Sequence, residues 1–288
     1  MRSLLFVPGD SDKKQAKALA CGADVLILDL EDSVAPARKP AAREMSRTWI
    51  TTAKVQTKRP MLYVRMNALT TSYWQDDLSG VMPAAPDGIM LPKPRSGADV
   101  ELLAMHLAAL EQTFGIAEGT TRILPIATEV PLSVLQMPSY VGASPRLSAL
   151  TWGAEDLATE IGASTNRRSD GTFTSPFQLA RDLTLFTACA AGVPPLDTVF
   201  VNFRDAAGLR REAEAAARDG FTGKLAIHPD QVPVINAAFT PSADDIARAR
   251  AIKKLFDDNP GSGALSMDGQ MIDIPHLKQA ERLLARAF

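Results

Sequence analysis

Cysteine and histidine are scarce in this 288-residue chain, which contains two cysteines and three histidines. A disulfide framework or a zinc site needs more thiol or imidazole ligands, so neither is expected. Cys21 and Cys189 both lie in alanine-rich segments with helical character, where buried free thiols are the simpler interpretation. We therefore expect a reduced, cytoplasmic protein.

An excess of one charge and a long apolar run are also lacking. The formal net charge is −2, and no basic stripe alternates with aromatic residues, so we expect no nucleic-acid partner. No stretch reaches the roughly 18 apolar residues that a membrane span needs. The N-terminal apolar run stops at Pro8-Gly9, which is too short for a signal peptide, and no membrane partner is expected.

Apolar runs that end in charged residues recur along the chain. In the clearest example, an apolar stretch runs into Asp29, Glu31 and Asp32. A strand that is buried on both faces is typically such a continuous apolar run. Similar runs end at Arg65, Lys93, Glu129, Asp156 and His228. Endings of this kind at regular intervals indicate one edge of a set of parallel strands.

Strand-like runs alternate with segments of helical periodicity. The predicted strands are 2–7, 25–30, 61–66, 88–93, 122–128, 147–154, 197–202 and 224–229, and the predicted helices between them are 11–22, 38–53, 98–114, 131–140, 176–191 and 204–219. This alternation implies parallel strands with right-handed crossovers, and eight units match a (β/α)₈ TIM barrel in size. An open doubly wound sheet is the alternative, but no G-x-G-x-x-G follows the first strand.

The chain continues beyond the eighth predicted strand. We expect residues 1–235 to form the barrel and residues 236–288 to form a C-terminal helical extension and lid. In the extension, Ser242 is a candidate cap for a helix over 242–258. Asp268-Gly269 predicts a type I′ hairpin, and Pro275 suits the first turn of a last helix.

Two carboxylates end consecutive predicted strands. Glu129 ends the fifth and Asp156 the sixth, and neighbouring strands lie about 4.8 Å apart. Carboxylates this close repel each other unless a proton or a cation lies between them, and two carboxylates with water suit Mg²⁺. The alternative is a salt bridge to Arg65 or Lys93. Arg65 can also clamp a carboxylate or an enolate oxygen, so the site suits a 2-oxo or 2-hydroxy acid.

Six motifs stand in one order along the chain. They are Phe6-Val7-Pro8-Gly9, Leu28-Asp29-Leu30-Glu31-Asp32-Ser33-Val34, Val64-Arg65-Met66-Asn67, Leu91-Pro92-Lys93, Trp152-Gly153-Ala154-Glu155-Asp156-Leu157 and Met271-Ile272-Asp273-Ile274-Pro275. Together they resemble the citrate lyase β-subunit-like proteins of the HpcH/HpaI aldolase superfamily, which includes malyl-CoA and citramalyl-CoA lyases. The resemblance runs from residue 2 to about residue 283.

The resemblance implies a TIM-barrel lyase that uses Mg²⁺, with Mn²⁺ as an alternative metal. Such enzymes cleave or form a 3-hydroxyacyl-CoA thioester, such as malyl-, citramalyl- or citryl-CoA, with acetyl-CoA and a 2-oxo acid on the other side of the reaction. The implied assembly is a homotrimer or a dimer of trimers.

The resemblance also implies roles for individual residues. Glu129 and Asp156 fall on the family's metal ligands, and Arg65 falls on the residue that binds the acid and thioester oxygens. Asp273 falls on a general acid/base that is supplied to the neighbouring subunit's site, where a closed lid would give it a raised pKa. The acids from Asp29 to Asp32 are then expected to orient Arg65 or metal-bound water.

For CoA, the resemblance points to four further positions. Lys13 and Lys17 fall on lysines that meet the CoA phosphates, and a spacing of four places them on one side of a helix. Ile227 and His228 fall on a loop that touches substrate or CoA.

Three other functions stay open. They are a CoA-independent aldolase acting on free acids, a malyl-CoA-type thioesterase, and a non-catalytic lyase subunit with a relic site. The intact set of Arg65, Glu129, Asp156 and Asp273 argues against the relic, because a relic site has no reason to keep all four.

Overall fold

Eight short apolar strands form one parallel sheet in the computed structural model, which describes residues 1–287. The strands are β1 (Ser3–Pro8), β2 (Val25–Asp29), β3 (Met61–Arg65), β4 (Gly88–Leu91), β5 (Arg122–Pro125), β6 (Leu150–Thr151), β7 (Pro195–Asp197) and β8 (Gly223–Ala226). They lie in the order β5-β4-β3-β2-β1-β8-β7-β6. Parallel bridges from Ile123 to Leu147 and from Ile126 to Thr151 join the two ends. The predicted TIM barrel is confirmed.

Eleven helices are found among residues 1–287. They are α1 (Asp12–Ala18), α2 (Lys39–Ala53), α3 (Trp74–Val81), α4 (Gly97–Phe114), α5 (Pro131–Leu135), α6 (Glu155–Glu160), α7 (Ser175–Ala190), α8 (Ala206–Asp219), α9 (Gln231–Phe239), α10 (Ala243–Asp257) and α11 (Ile274–Leu284). The sequence did not predict α3, α6 and α9. The predicted helix 131–140 is in fact two elements, α5 and a separate 3₁₀ turn, Met137–Tyr140. Pro138 lies in that turn and has no N–H to donate.

The alternation of side chains along each strand explains how the barrel positions its polar groups. Val25 and Ile27 of β2 lie in the buried core with Leu4, Tyr63 and Leu225. Because side chains alternate along a strand, Asp29 shares the face of Val25 and Ile27. The same alternation places Arg65 on the face of Tyr63. The barrel interior is therefore apolar along its length and charged at the carboxyl ends of β2 and β3.

The seventh strand, Pro195–Asp197, begins two residues earlier and ends five residues earlier than the predicted strand 197–202. Its last residue, Asp197, is buried and accepts hydrogen bonds from Trp152 Nε1 at 2.8 Å and Lys224 Nζ at 2.6 Å. The predicted strand extended to residue 202 because apolar residues follow Asp197. Of these, Val201 is about half exposed and lies in the loop beyond the strand.

The C-terminal residues form their own compact unit, Ala237–Phe288, separate from Met1–Asn236; Phe288 lies outside the described residues. Within it, α10 packs on α11 around Phe256, Ile272 and Ala280. The antiparallel strands β9 (Ala264–Met267) and β10 (Gln270–Asp273) form the predicted hairpin. Its turn residues, Asp268 and Gly269, have φ of 53° and 74°, as a type I′ turn requires.

No helix within residues 1–287 combines the length and the apolar character that crossing a membrane requires.

A buried ion pair connects α4 to the loops beside β5. The Glu111 carboxylate accepts hydrogen bonds from both Nη atoms of Arg146, at 2.8 and 2.7 Å. It also accepts hydrogen bonds from the backbone N–H groups of Gly119 and Thr121, at 2.8 and 2.9 Å. Burial alone would raise the pKa of Glu111, but these hydrogen bonds outweigh it and hold the pKa at about 2. All four bonds require the ionised carboxylate.

We expect Glu111→Gln to lower the free energy of unfolding by about 3 kcal/mol at neutral pH, because Arg146 loses its partner in the interior. Denaturant titration measures this change. Glu101→Gln, on the exposed side of the same helix, is the control and should change stability by less than about 0.5 kcal/mol.

The pKa of Glu111 also sets a pH window for this effect. It lies below its ordinary value of 4.5, so its stabilisation is complete above pH 4.5 and is lost as the pH falls towards 2. The difference between wild type and Glu111→Gln should therefore shrink over this range. A difference that does not depend on pH would contradict the account.

Candidate active site

Asp29 and Arg65 form a two-point ion pair at the carboxyl ends of β2 and β3. The two residues are register partners, and Nε and Nη2 of Arg65 donate to the two carboxylate oxygens of Asp29, both at 2.7 Å. Burial would raise the pKa of Asp29, but the hydrogen bonds and charge of Arg65 lower it overall. The guanidinium also lies 4.8 Å from the ring centre of Phe6. Asp29 thus orients Arg65, as predicted.

Further acids surround this arginine. Glu31 Oε2 lies 3.0 Å from Arg65 Nη1, and Asp32 lies 3.7 Å from the same nitrogen. Burial is the largest cause of the raised pKa of Glu31, which Arg65 and Lys93 partly oppose. The predicted orienting role therefore belongs mainly to Asp29, while Glu31 joins Arg65 to Lys93.

Glu129 and Asp156 follow β5 and β6 rather than ending them. Glu129 lies in the loop after Pro125, and Asp156 lies in the first turn of α6. Glu129 is 3 % exposed, and a third of the Asp156 side chain is exposed. The cavity that both line also contains Arg65. The carboxylates are thus brought to one site, as the strand-end argument required.

Gly153 allows Glu129 to take its place. A Cβ atom at position 153 would lie 2.7 Å from Cγ of Glu129 and 3.2 Å from Cγ2 of Ile126. No side chain fits there without moving one of them. The glycine of the Trp152-Gly153-Ala154 segment is therefore needed for the position of the carboxylate.

Lys93 contacts both carboxylates. Its backbone N–H donates to Glu129 Oε2 at 2.6 Å, and its Nζ lies 2.5 Å from Glu31 and 3.2 Å from Asp156. The salt bridge considered as the alternative to a metal thus forms between Lys93 and Asp156. It leaves Glu129 with no ion pair among the described residues.

The surroundings of Glu129 suit a metal ion. Burial raises its pKa well above the ordinary value, and the nearby charges of Glu31 and Asp156 add to the increase. A buried carboxylate beside other acids is stabilised by a cation. Three-residue groups of His, Cys, Asp or Glu arranged for a metal are not found within residues 1–287. Two carboxylates that leave room for water and substrate fit Mg²⁺ better than zinc.

One cavity of about 840 Å³ contains most of the predicted site. The predicted residues that line it are Lys17, Arg65, Glu129, Asp156, Ile227 and His228. The lysine pair of α1 differs from the expectation, since Lys14 lines the cavity with Lys17 and Lys13 does not. Residues three apart share a helix face as well as residues four apart, so spacing alone could not choose between them.

His228 and Ile227 are held by the start of α9. Gln231 Oε1 accepts the backbone N–H groups of Ile227 and His228 at 2.8 and 3.2 Å. The imidazole stacks on Phe203 with ring centres 5.0 Å apart. Phe203 had no recognisable signal in the sequence, because its role depends on a contact between two loops.

Asp273 lies in the other compact unit, Ala237–Phe288, at the end of β10. Its Oδ1 lies 2.5 Å from Nδ1 of His276. This hydrogen bond lowers the pKa of Asp273 below its ordinary value. The raised pKa expected under a closed lid in a neighbouring subunit's site stays a prediction, because here the carboxyl is partly exposed and has a hydrogen-bonding partner.

Comparison with known proteins gives consistent matches. The model of the HpcH/HpaI aldolase/citrate lyase family matches residues 2–229, and a model described as a C–C bond lyase of the TIM-barrel fold matches residues 179–288. A citrate lyase subunit beta-like protein of Mycobacterium tuberculosis is 38% identical over 284 residues, covering 98% of this chain and 94% of that protein. An L-malyl-CoA/beta-methylmalyl-CoA lyase of Cereibacter sphaeroides is 33% identical over 307 residues, with coverages of 99% and 94%.

A solved structure of the CitE protein of Mycobacterium tuberculosis, in complex with magnesium, acetoacetate and coenzyme A, is also similar. It is 35% identical, covers 99% of this chain and 97% of that chain, and superposes with a TM-score of 0.79.

We expect Gly153→Ala to weaken Mg²⁺ binding by roughly tenfold, because the new methyl group must displace the Glu129 carboxylate from its position. Isothermal titration calorimetry measures the affinity. Gly263→Ala is the control, because a Cβ atom there meets nothing within 4 Å. Equal affinities for the two variants would show that Glu129 does not need this position to bind the metal.

Proposed function

The chain belongs to the HpcH/HpaI aldolase/citrate lyase family, and from this we propose that it is a Mg²⁺-dependent carbon–carbon lyase acting on a 3-hydroxyacyl-CoA thioester. Malyl-, citramalyl- and citryl-CoA are the candidate substrates. One observation carries the proposal: Arg65, Glu129 and Asp156 line a single cavity whose lining also includes Lys14 and Lys17.

The acid end of the substrate is proposed to bind at the charged strand ends. Glu129 and Asp156 would hold the metal, which when bound supplies Lewis-acid polarisation of the 2-oxo acid's carbonyl oxygen. Arg65 offers a positively charged guanidinium whose orientation is fixed by its two hydrogen bonds to Asp29. A donor that is positioned in advance stabilises a developing oxyanion without reorganising during the reaction.

The CoA end is proposed to extend along the rest of the cavity. Its volume of about 840 Å³ suits a drug-sized ligand better than a three- or four-carbon acid alone. Leu5, Val7, Val199 and Leu225 give part of its lining an apolar character, which suits the aliphatic arm of CoA. Lys14 and Lys17 would then meet its phosphates.

In the cleavage direction, the bond between the hydroxyl-bearing carbon and the thioester's α-carbon breaks. The hydroxyl gives up its proton to the ionised Asp273 carboxylate and becomes the carbonyl of the 2-oxo acid, and the electron pair of the broken bond remains on the thioester as an enolate. Arg65 stabilises the enolate oxygen, and the protonated Asp273 then gives the proton to the carbon. In the reverse direction, the ionised Asp273 carboxylate removes that proton.

We propose that Asp273 acts on the site of a neighbouring copy, within a homotrimer or a dimer of trimers. Residues 236–288 would then be the extension that provides the lid. The glycines at 261, 263 and 269 support the mobility that a lid needs. A reduced, cytoplasmic setting remains a prediction, to which the unpaired thiols of Cys21 and Cys189 are suited.

The central test is a panel of malyl-, citramalyl- and citryl-CoA, each assayed with Mg²⁺ and with excess EDTA. A lyase releases a 2-oxo acid and leaves the CoA thiol esterified, whereas a thioesterase releases the free thiol. We expect 2-oxo acid release that EDTA abolishes. Release of thiol alone would favour the thioesterase. The free acids malate, citramalate and citrate are assayed alongside the esters: their cleavage would favour the CoA-independent aldolase, and no turnover of esters or acids would favour a non-catalytic subunit.

The lysines of α1 provide a second test. We expect Lys14→Ala and Lys17→Ala each to raise KM for the CoA ester about fivefold with little change in kcat, since each removes a solvent-accessible contact to phosphate. Lys13→Ala is the matched control, on the same helix but outside the cavity lining. An equal rise in KM for Lys13→Ala would contradict the assignment of Lys14.

Asp273→Asn should lower kcat by about 10²- to 10⁴-fold, the range that a general acid/base contributes, while Mg²⁺ affinity stays unchanged. Asp268→Asn is the control, because asparagine tolerates the left-handed turn conformation at φ 53°.

Mixing subunits then tests whether Asp273 acts across a subunit boundary. Inactive Asp273→Asn copies, mixed and reassembled with inactive Arg65→Ala copies, should regain activity because some sites would combine intact residues from both. Mixtures that stay inactive would place the acid in its own subunit's site.

A further inference from the structure

Lys93 has a backbone conformation that is rare for its residue type. It follows β4 within the segment Pro92-Lys93-Pro94 and has φ of +50°. The left-handed region is unfavourable for a residue that has a Cβ atom, because this atom then lies too close to the following carbonyl oxygen. Such strain persists only where the surroundings enforce it, and it is concentrated at functional sites.

The conformation gives one residue two separate contacts with the carboxylates. The backbone N–H of Lys93 donates to Glu129, while its side chain extends to Glu31 and Asp156. The hydrogen bond to Glu129 does not depend on the side chain. The two contacts can therefore be separated by mutation.

The side chain carries the only cation found within 4.0 Å of Asp156 among residues 1–287, at 3.2 Å. Arg65, the other cation of the cluster, is already paired with Asp29 and Glu31. Among residues 1–287, the Lys93 ammonium is therefore the charge that balances Asp156.

A metal ion on Asp156 would lie close to this ammonium. Mg²⁺ binds a carboxylate oxygen at about 2.1 Å, so two positive charges would share one small carboxylate. Their repulsion in a partly buried site opposes metal binding. The same ammonium reduces the repulsion between Glu31 and Asp156 when no metal is present.

We propose that the Lys93 ammonium is an internal counter-ion that competes with Mg²⁺ at Asp156 and lowers the metal affinity of the site, while the Lys93 backbone N–H holds Glu129 in place. The inference rests on the proposed metal site. It assigns to this chain a built-in cation that keeps the carboxylates together before the metal arrives and favours release of the metal afterwards.

The test compares Mg²⁺ affinities by isothermal titration calorimetry at fixed pH and ionic strength. Lys93→Met and Lys93→Asn remove the charge, and asparagine also tolerates the left-handed backbone. We expect both to bind Mg²⁺ about tenfold more tightly than wild type. Without metal, both should melt at a lower temperature, and Mg²⁺ should raise their melting temperature more than it raises that of wild type.

Two controls separate charge from other effects. Lys93→Arg keeps the charge and should resemble wild type. Lys58→Met removes one exposed positive charge outside the cavity lining and should leave the affinity unchanged. Equal or weaker Mg²⁺ binding by the neutral Lys93 variants would overturn the inference and show that the ammonium supports the metal site.

If the proposed function itself is wrong, wild type would bind no Mg²⁺, and this result differs from every outcome expected for the Lys93 variants.

A measurement on the unmutated chain covers the case in which the neutral variants do not fold. The ¹⁵Nζ signal of Lys93, assigned by its absence from Lys93→Arg, should shift as Mg²⁺ is added. An unchanged signal at saturating Mg²⁺ would contradict competition at Asp156.

Discussion

The two-point ion pair between Asp29 and Arg65 is the interaction on which the rest of the site depends. Parallel register places the two residues opposite each other at the ends of β2 and β3, and strand alternation directs both along the face that lower down forms the apolar core. A buried guanidinium without a partner would be strongly destabilising. The two hydrogen bonds to Asp29 fix the orientation of the Arg65 guanidinium. Glu31 and Asp32 lie on its remaining side, near Nη1.

From this pair, charges of alternating sign extend across the strand ends. Arg65 contacts Glu31, Glu31 contacts Lys93, and Lys93 contacts Asp156. A buried lysine outside the series supports it, since Lys39 Nζ donates to the backbone carbonyls of Leu30 and Glu31 at 2.8 and 3.1 Å. The acids are thus held by backbone as well as by side-chain contacts. The barrel part of the site is thus organised by contacts among its own residues.

The sequence predicted what depends on periodicity and on strand ends. Apolar runs closed by charges located the barrel, Arg65 and both candidate metal ligands. Other features depend on torsion angles or on contacts between residues that are distant in sequence, and the pattern of apolar and charged residues does not predict these. The φ of Lys93, the close approach of Glu129 to Gly153 and the hydrogen bond from Trp152 to Asp197 are of this kind. Lys13 was named because the resemblance places it on a CoA-binding lysine, and helical spacing could not separate it from Lys14, since residues three and four apart both share a helix face.

The acids of the barrel and the proposed acid/base Asp273 also differ in what sets their pKa. Burial raises the pKa of Glu129, whereas the pKa of Asp29 is lowered in spite of burial, chiefly by the hydrogen bonds and charge of Arg65. Asp273 is instead governed by a local partner, His276, which keeps it ionised. A general base must be ionised before its substrate arrives, whereas a metal ligand needs a cation to ionise it in a buried place. The proposed roles require this difference. Asp273 has to be ionised before substrate binds, whereas Glu129 has to be ionised only when it binds the metal.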